Sequence, residues 1–379
     1  MKEIRIGIIG AGIIANQHAQ DYAKIPGVTV AAACDINKSK LDRFCGQHKI
    51  ADKYENFRKM LERDDLDAVD VCLHNNLHAP VSIEILRSGR HCYCEKPMAG
   101  SYADAAAMLA VSEETGKRLH VQLATLYRPE THAARKLIAA GMLGEIYHAR
   151  SYGYRRRGRP FVDGYAEKEF NSRYWASGGA LYDMGVYHIS QLLFILGLPA
   201  VERVSGQVYQ KLDMHEGRRR EGGFDVEELG VGLVKFGGGL TMDILESWAI
   251  NAAEFPPSIV AGSKGGLSLG DELVYTSEMS GYPAVTKFDL AKETYRTHQI
   301  DPSLAVYDNS IAHWVAALRG ECELYDTKHI ALETMLVSEG IYRSGSLGRE
   351  VTADEIRSGS ASSFIREQET GFGVLRYGL

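Results

Sequence analysis

The chain has 379 residues, 45% of them hydrophobic, and a net charge of −6. That length and apolar share support a large core and two domains, and the acidic balance excludes a dedicated nucleic-acid binder, which carries a basic surplus. The most apolar stretch, VYHISQLLFILGLPA, is interrupted by His188, Ser190 and Gln191, so no membrane span is expected. The opening MKEIRIGIIGAG already reads as a strand and not as a secretory signal. Six cysteines, Cys34, Cys45, Cys72, Cys92, Cys94 and Cys322, form no CxxC pair, which predicts reduced thiols in a cytoplasmic protein and no metal site.

Taken in chain order, the first part alternates. IRIGIIGAG reads as a buried strand running into a glycine turn, IANQHAQDYAKI as a helix and VTVAAACD as a second strand. DAVDVCL, HCYCE and RLHVQLA are further short apolar strands, separated by helical stretches such as VSIEILRSG and YADAAAMLAVSEETG. This alternation predicts an α/β fold whose N-terminal domain, residues 1–124, is a doubly wound parallel Rossmann sheet. The rhythm then changes. EIYHARSYGYRRR, ERVSGQVYQKL, EELGVGLVKF and LTMDILESWAI are longer, often alternating segments, with Gly237, Gly238 and Gly239 marking a hairpin turn. Residues 125–379 are therefore expected to form a C-terminal α/β domain on a large, mainly antiparallel open sheet, with helices in NSIAHWVAALRG and KHIALETMLVSEGIYRSG. A bare sheet face calls for a partner, so a homodimer or homotetramer is expected through it.

The first strand ends in GIIGAGIIANQH, a G-x-G-x-x-A turn at Gly10, Gly12 and Ala15. Gly10 permits the tight turn, Gly12 lets the backbone approach a pyrophosphate, and Ala15 packs helix closely on sheet. The helix N-terminus adds a positive field for the phosphates. The motif follows an apolar strand, opens a helix, and is followed about twenty residues on by Asp35 at the end of the next strand. A dinucleotide site is expected, with Ile13 and Ile14 beside the turn. A carboxylate at Asp35 accepts both ribose hydroxyls of NAD and repels the 2′-phosphate of NADP. NAD is therefore preferred over NADP, although Lys38 and Lys40 stand near enough to soften the repulsion.

HCYCEKPMAG places Glu95, Lys96 and Pro97 at the C-terminal end of a parallel strand, where open α/β sheets bind ligands. The Lys96 ammonium can there bond a substrate hydroxyl and stabilise developing alkoxide charge. SGGALYDMGVYHIS supplies a second group. If it is an α-helix, Asp183 and Tyr187 are four apart and share a face, while His188 points about 100° away. A histidine is matched to neutral pH, and a tyrosine only when a cation lowers its pKa. Acidity favours His188 and reach favours Tyr187; since a proton cannot be transferred out of reach, Tyr187 is the expected carrier.

GIIGAGIIANQH, VCLHNNLHAPVSIEILRSGRHCYCEKPMA and GGALYDMGVYHIS together resemble, in order and spacing, the Gfo/Idh/MocA oxidoreductases, the glucose–fructose oxidoreductase and inositol dehydrogenase group. The resemblance covers nearly the whole chain. It implies a Rossmann domain, a second α/β domain with an open sheet, and reversible oxidation of a sugar or cyclitol hydroxyl with NAD(P) in a dimer or tetramer. By position, Lys96 matches the lysine that binds the reacting hydroxyl and Asp183 the aspartate that orients the substrate or its proton acceptor. Tyr187 stands where the family most often has histidine, as it does in the branches that resemble this chain in having tyrosine. The loop after the fourth strand, with His74, Asn75 and His78, and the Glu95–Lys96 pair are implied cofactor contacts. Many members read T-P-N where this chain has His74, Asn75 and Asn76, so the loop lacks the proline that would stiffen it.

The loop YGYRRRGRPFVDGYAEKEFNSRYW precedes the catalytic segment. Arg173, Trp175 and Tyr154 are expected to meet the substrate, and one or two of Arg155, Arg156, Arg157 and Arg159 to line the site. The leading expectation is an NAD(P)-dependent enzyme that transfers hydride between nicotinamide and a hydroxyl or carbonyl of a sugar, cyclitol or sugar derivative. Two alternatives stand beside it: an NAD-dependent glycosidase using transient oxidation, and a non-catalytic cofactor-binding regulator.

Overall fold

The protein is described here from a computed structural model, which covers residues 2–254, 256–270 and 272–364 and the backbone of 369–370 and 373–374. The described residues form two compact units, one drawn from 1–122, 309–329 and 361–379, the other from 123–308 and 330–360.

The first unit is built on β1 (Ile4–Ile9), β2 (Val28–Cys34), β3 (Asp52–Tyr54), β4 (Ala68–Val71), β5 (His91–Cys94) and β6 (Leu119–Val121), all parallel, in the order β3-β2-β1-β4-β5-β6. The strands are joined by α1 (Ile13–Ala23), α2 (Lys38–His48), α3 (Phe57–Met60), α4 (Asn75–Arg87) and α5 (Tyr102–Thr115). β4 is buried along its whole length, as a strand with helices on both faces must be. The order reverses between β1 and β4, which opens a crevice at the carboxyl ends of those strands. Trp314, on the helix Ser310–Arg319, is fully buried with Ile4, Ile6, Tyr22 and Tyr93, so a segment from late in the chain completes this core.

The second unit carries a nine-stranded sheet. Its strands are β7 (Ile146–Tyr154), β8 (Val201–Tyr209), β9 (Leu229–Phe236), β10 (Thr241–Ser247), β11 (Ser258–Gly262), β12 (Gly265–Leu269), β13 (Leu273–Met279), β14 (Tyr282–Lys287) and β15 (Val351–Thr352), in the order β14-β13-β12-β11-β7-β10-β9-β8-β15. Every neighbouring pair is antiparallel except β7 and β10. The α/β architecture with one parallel and one mainly antiparallel sheet is the expected one. Strands β11 to β14 had no expectation attached. β11 and β12 are short and rich in glycine and serine, so their alternation is faint. Helices α6 (Pro129–Ala139), α7 (Arg173–Ala176) and α8 (Val186–Ile195) belong to this unit. No helix among the described residues is long and apolar enough to cross a membrane. All six cysteines are free thiols, and all but Cys322 are buried.

Candidate active site

The glycine turn has the geometry its residues require. Gly10 has φ +96°, and a Cβ there would lie 2.2 Å from the Cys72 carbonyl oxygen, so no other residue fits. At Gly12, directly before α1, an added Cβ would meet nothing within 4 Å, which leaves open the approach a pyrophosphate needs. Ala15 is fully buried, while Ile13 and Ile14 are exposed apolar residues on the first turn of α1. Asp35 follows β2 directly. Its carboxylate accepts the Ala11 N–H at 2.7 Å on Oδ2 and the Asn37 N–H at 2.7 Å on Oδ1. Each oxygen keeps a further lone pair for a ribose hydroxyl, so turn, open approach and oriented acid together fit a dinucleotide.

His74 precedes α4 in extended backbone and is half-buried, and Asn75 is buried. His78 is fully buried: Nδ1 lies 2.7 Å from the Pro97 carbonyl oxygen and Nε2 3.0 Å from that of Leu73. It ties the loop after β4 to the turn after β5 and reaches no open surface, so it supports the cofactor loops without facing a ligand. Glu95 is buried and accepts the Lys96 amide at 3.0 Å, while Lys96 is half-buried and precedes Pro97 through a cis peptide bond. Asp70, on β4, and Glu95 both contact His18 of α1. His18, Asp70 and Cys72 offer metal-type ligand atoms within 4.8 Å of one another. Both imidazole nitrogens already face carboxylates, so this group reads as an ion-paired network.

In the second unit the segment before α8 is not α-helical. Leu181–Gly185 forms a π-helical turn, with i→i+5 bonding, that runs into α8. Buried Glu227 anchors its start, accepting the N–H groups of Gly179 at 2.8 Å and Leu181 at 2.9 Å. Burial pushes the Glu227 pKa up, and these hydrogen bonds offset part of that rise. A Cβ on Gly179 would lie 1.9 Å from the Glu227 carbonyl oxygen, which requires glycine. Asp183 sits in this wide turn. Its Oδ2 accepts the indole N–H of buried Trp248 at 2.9 Å and lies 3.9 Å from Arg155 Nη1. An i→i+5 turn advances less per residue than the 100° of an α-helix, so it narrows the angle between Asp183 and His188 and leaves Tyr187 near the Asp183 face.

His188 has its own orienting carboxylate. Nδ1 lies 3.0 Å from Oε2 of fully buried Glu246, and Ser151 Oγ donates to Glu246 Oε1 at 3.0 Å. Burial pulls the His188 pKa down, but the charge and hydrogen bond of Glu246 prevail and leave it raised. Gly153 on β7 makes room for the pair: a Cβ there would come within 2.2 Å of both His188 and Glu246. The Tyr187 backbone carbonyl accepts from Thr125 Oγ1 at 2.7 Å, and its side chain is half-buried.

Side chains alternate along a strand. Gly153 faces the helix side with His188, so its neighbour Tyr154 projects from the opposite face and is not brought to Asp183. Arg173 is exposed on α7, where its backbone N–H donates to Asp225 Oδ1 at 2.6 Å; half-buried Trp175 meets Tyr174 edge-on. Arg159, one of the loop arginines, is buried and bonded to Asp163 and Glu228, a structural ion pair that leaves it no role toward a ligand. Arg155 instead reaches the Asp183 group. Trp248 and Glu246 were not among the expected site residues. Their signal was present: Met242, Ile244 and Glu246 share one face of β10, Trp248 follows just past its end, and a carboxylate in an otherwise apolar phase demands a partner.

Residues 4–123 match the model of the GFO/IDH/MocA oxidoreductase family with an NAD-binding Rossmann fold, and residues 131–268 match the GFO/IDH/MocA C-terminal domain. D-glucoside 3-dehydrogenase of Escherichia coli (strain K12) is 29% identical over 281 residues, 72% of this chain and 79% of that protein. An alpha-N-acetylgalactosaminidase of Shewanella oneidensis is 27% identical over 158 residues, 39% of this chain and 34% of that protein. A solved structure of levoglucosan dehydrogenase in complex with NADH and levoglucosan is similar in fold, with a TM-score of 0.77 at 16% identity, covering 93% of this chain and all of that one.

Proposed function

Because the chain belongs to the GFO/IDH/MocA family of NAD-binding oxidoreductases, we propose that it is an NAD-dependent dehydrogenase of a sugar, cyclitol or sugar derivative, in which Lys96, Asp183 and Tyr187 handle the reacting hydroxyl. The observation that carries this reading is Asp183, held by the Trp248 indole in a π-helical turn directly before two proton carriers. A cofactor-binding regulator has no use for such a group.

Bound NAD would accept hydride from the carbinol carbon. Lys96 binds the reacting oxygen and stabilises the negative charge it gains. Tyr187 takes the hydroxyl proton, and Asp183 with Arg155 orients the substrate. Glu246 holds the His188 ring in place behind them, where His188 supports Tyr187 by fixing the start of α8. Asp35 selects NAD over NADP, since its two amide contacts keep the carboxylate aimed where a 2′-phosphate would have to lie. Arg173 and Trp175 are the remaining substrate candidates, and buried free thiols favour a cytoplasmic setting.

The test is a spectrophotometric scan of hexoses, inositols, uronates, anhydrosugars and glycosides with NAD and NADP. Reduced nicotinamide is expected with one substrate group, faster with NAD. The partial likeness to a galactosaminidase favours the second reading, a glycosidase using transient oxidation. Aglycone release without net reduced cofactor would decide for it. The outer face of the large sheet carries a hollow of about 510 Å³ lined by Tyr152, Gln207, Val231, Leu233, Asp243 and Leu245, among others. A second copy of the chain is the proposed cover, and sedimentation at micromolar concentration is expected to show a dimer or tetramer; a stable monomer would refute it.

A further inference from the structure

Beneath the Glu95–Lys96–Pro97 turn, charges of alternating sign follow one another inside the first unit. His18 is 1% exposed and stands between two carboxylates: Nδ1 is 2.9 Å from Asp70 Oδ2, and Nε2 is 3.0 Å from Glu95 Oε1. Glu95 Oε2 in turn accepts the Lys96 amide at 3.0 Å. A neutral imidazole has one N–H donor and one lone pair, and a lone pair set against a carboxylate oxygen is repelled. The Nδ1 contact is a hydrogen bond and the Nε2 contact a close charge contact without hydrogen-bond geometry, and between two carboxylates both favour the doubly protonated ring. The series then reads Asp70 negative, His18 positive, Glu95 negative, Lys96 positive.

Burial alone would pull the His18 pKa down, but Asp70, with Cys72 beside it, outweighs that and leaves it well above the ordinary imidazole value. Burial likewise pushes Glu95 up, and His18 followed by Lys96 brings it below the usual carboxyl value. Tyr93 meets the His18 ring edge-on at 5.6 Å, and Tyr22 lies one turn further along α1 in the same core. The titratable groups facing His18 are thus Asp70 and Cys72 from β4 and its end, Glu95 and Tyr93 from β5 and its end, and Tyr22 from α1.

We propose that His18 is a positioning residue for Lys96. Its imidazolium balances the charge of Glu95 and fixes that carboxylate on the Lys96 amide, which sets the backbone of the lysine turn. The same ion pair joins the lysine turn to α1, the helix that starts in the glycine turn. What Lys96 does rests on the dehydrogenase reading; where it is held does not.

The test uses the full chain with histidines labelled in ¹⁵N and lysines ¹³C-methylated. At about pH 8, above the ordinary imidazole range, both nitrogens of His18 are expected to be protonated. In His18→Gln the Lys96 methyl signal, identified by its loss in Lys96→Met, is expected to shift. There kcat should fall about 10- to 100-fold, with NAD affinity changed far less. The double variant His18→Gln/Glu95→Gln removes the stranded carboxylate and is expected to recover thermal stability but not kcat. A singly protonated His18, an unmoved Lys96 signal, or kcat recovering in step with stability would each overturn the assignment. A wild-type protein inert toward every alcohol of the panel removes the dehydrogenase reading, and the His18 and Lys96 signals still decide the placement of Lys96.

Discussion

Lys96→Met is expected to lower kcat by about 10²–10³-fold, while NAD affinity falls far less. Methionine keeps nearly the length and the apolar stem of lysine, and Lys96 is half-buried at a strand end, so the variant should fold and pack as before. On the proposed reading, what disappears is the ammonium that stabilises the oxygen whose charge grows during oxidation. A donor aimed at developing charge is worth more in the transition state than in the ground state, so the loss should fall on kcat and not on KM. Stopped-flow single turnovers with the substrate found in the panel, beside NAD binding followed by fluorescence, separate the two. Loss of NAD binding with kcat preserved would make Lys96 a cofactor ligand only.

Tyr187→Phe should lower kcat by about 10²–10⁴-fold, the range for removal of a general acid–base group. His188→Gln should cost less, because in this reading the ring supports α8 and carries no proton of the substrate. The two residues also differ in their pH signature. His188 has a raised pKa in the folded state, so its pairing with Glu246 contributes stability that is fully present below the unfolded imidazole value of about 6.5 and is lost as pH rises through the raised value. The melting-temperature gap between wild type and His188→Gln is therefore expected to be widest in mild acid and to shrink in alkali. Calorimetry across that range checks it. If Tyr187→Phe kept its turnover and His188→Gln abolished it, the proton would belong to the His188–Glu246 pair.

The π-helical turn bears on this choice and could not be seen in advance. Four-residue spacing from Asp183 to Tyr187 assumes α-helical geometry, and Leu181–Gly185 does not have it. The start of that turn is held by Glu227, distant in the chain, which accepts the amides of Gly179 and Leu181. Tyr154 shows the opposite limit. Its place at the end of a strand was legible, but which face it takes depends on register, and one step along a strand exchanges the faces.

The local chemistry of the chain was enough to specify a parallel sheet followed by a mainly antiparallel one, though not strands β11 to β14, together with the glycine turn with Asp35, the lysine at a strand end and the Asp183 segment. Each of these rests on short-range rules: strand periodicity, the backbone freedom of glycine, and the placement of ligand groups where parallel strands end. The partnerships came only with the tertiary structure. Trp248 on Asp183, Glu246 on His188, and His18 between Asp70 and Glu95 join residues that lie between 52 and 77 positions apart. The return of Trp314 to the first core is of the same kind. A buried charge in a sequence announces that it needs a partner, because solvation has been taken from it. Which partner it receives is settled by how the strands and helices pack, and packing couples residues that no local pattern links.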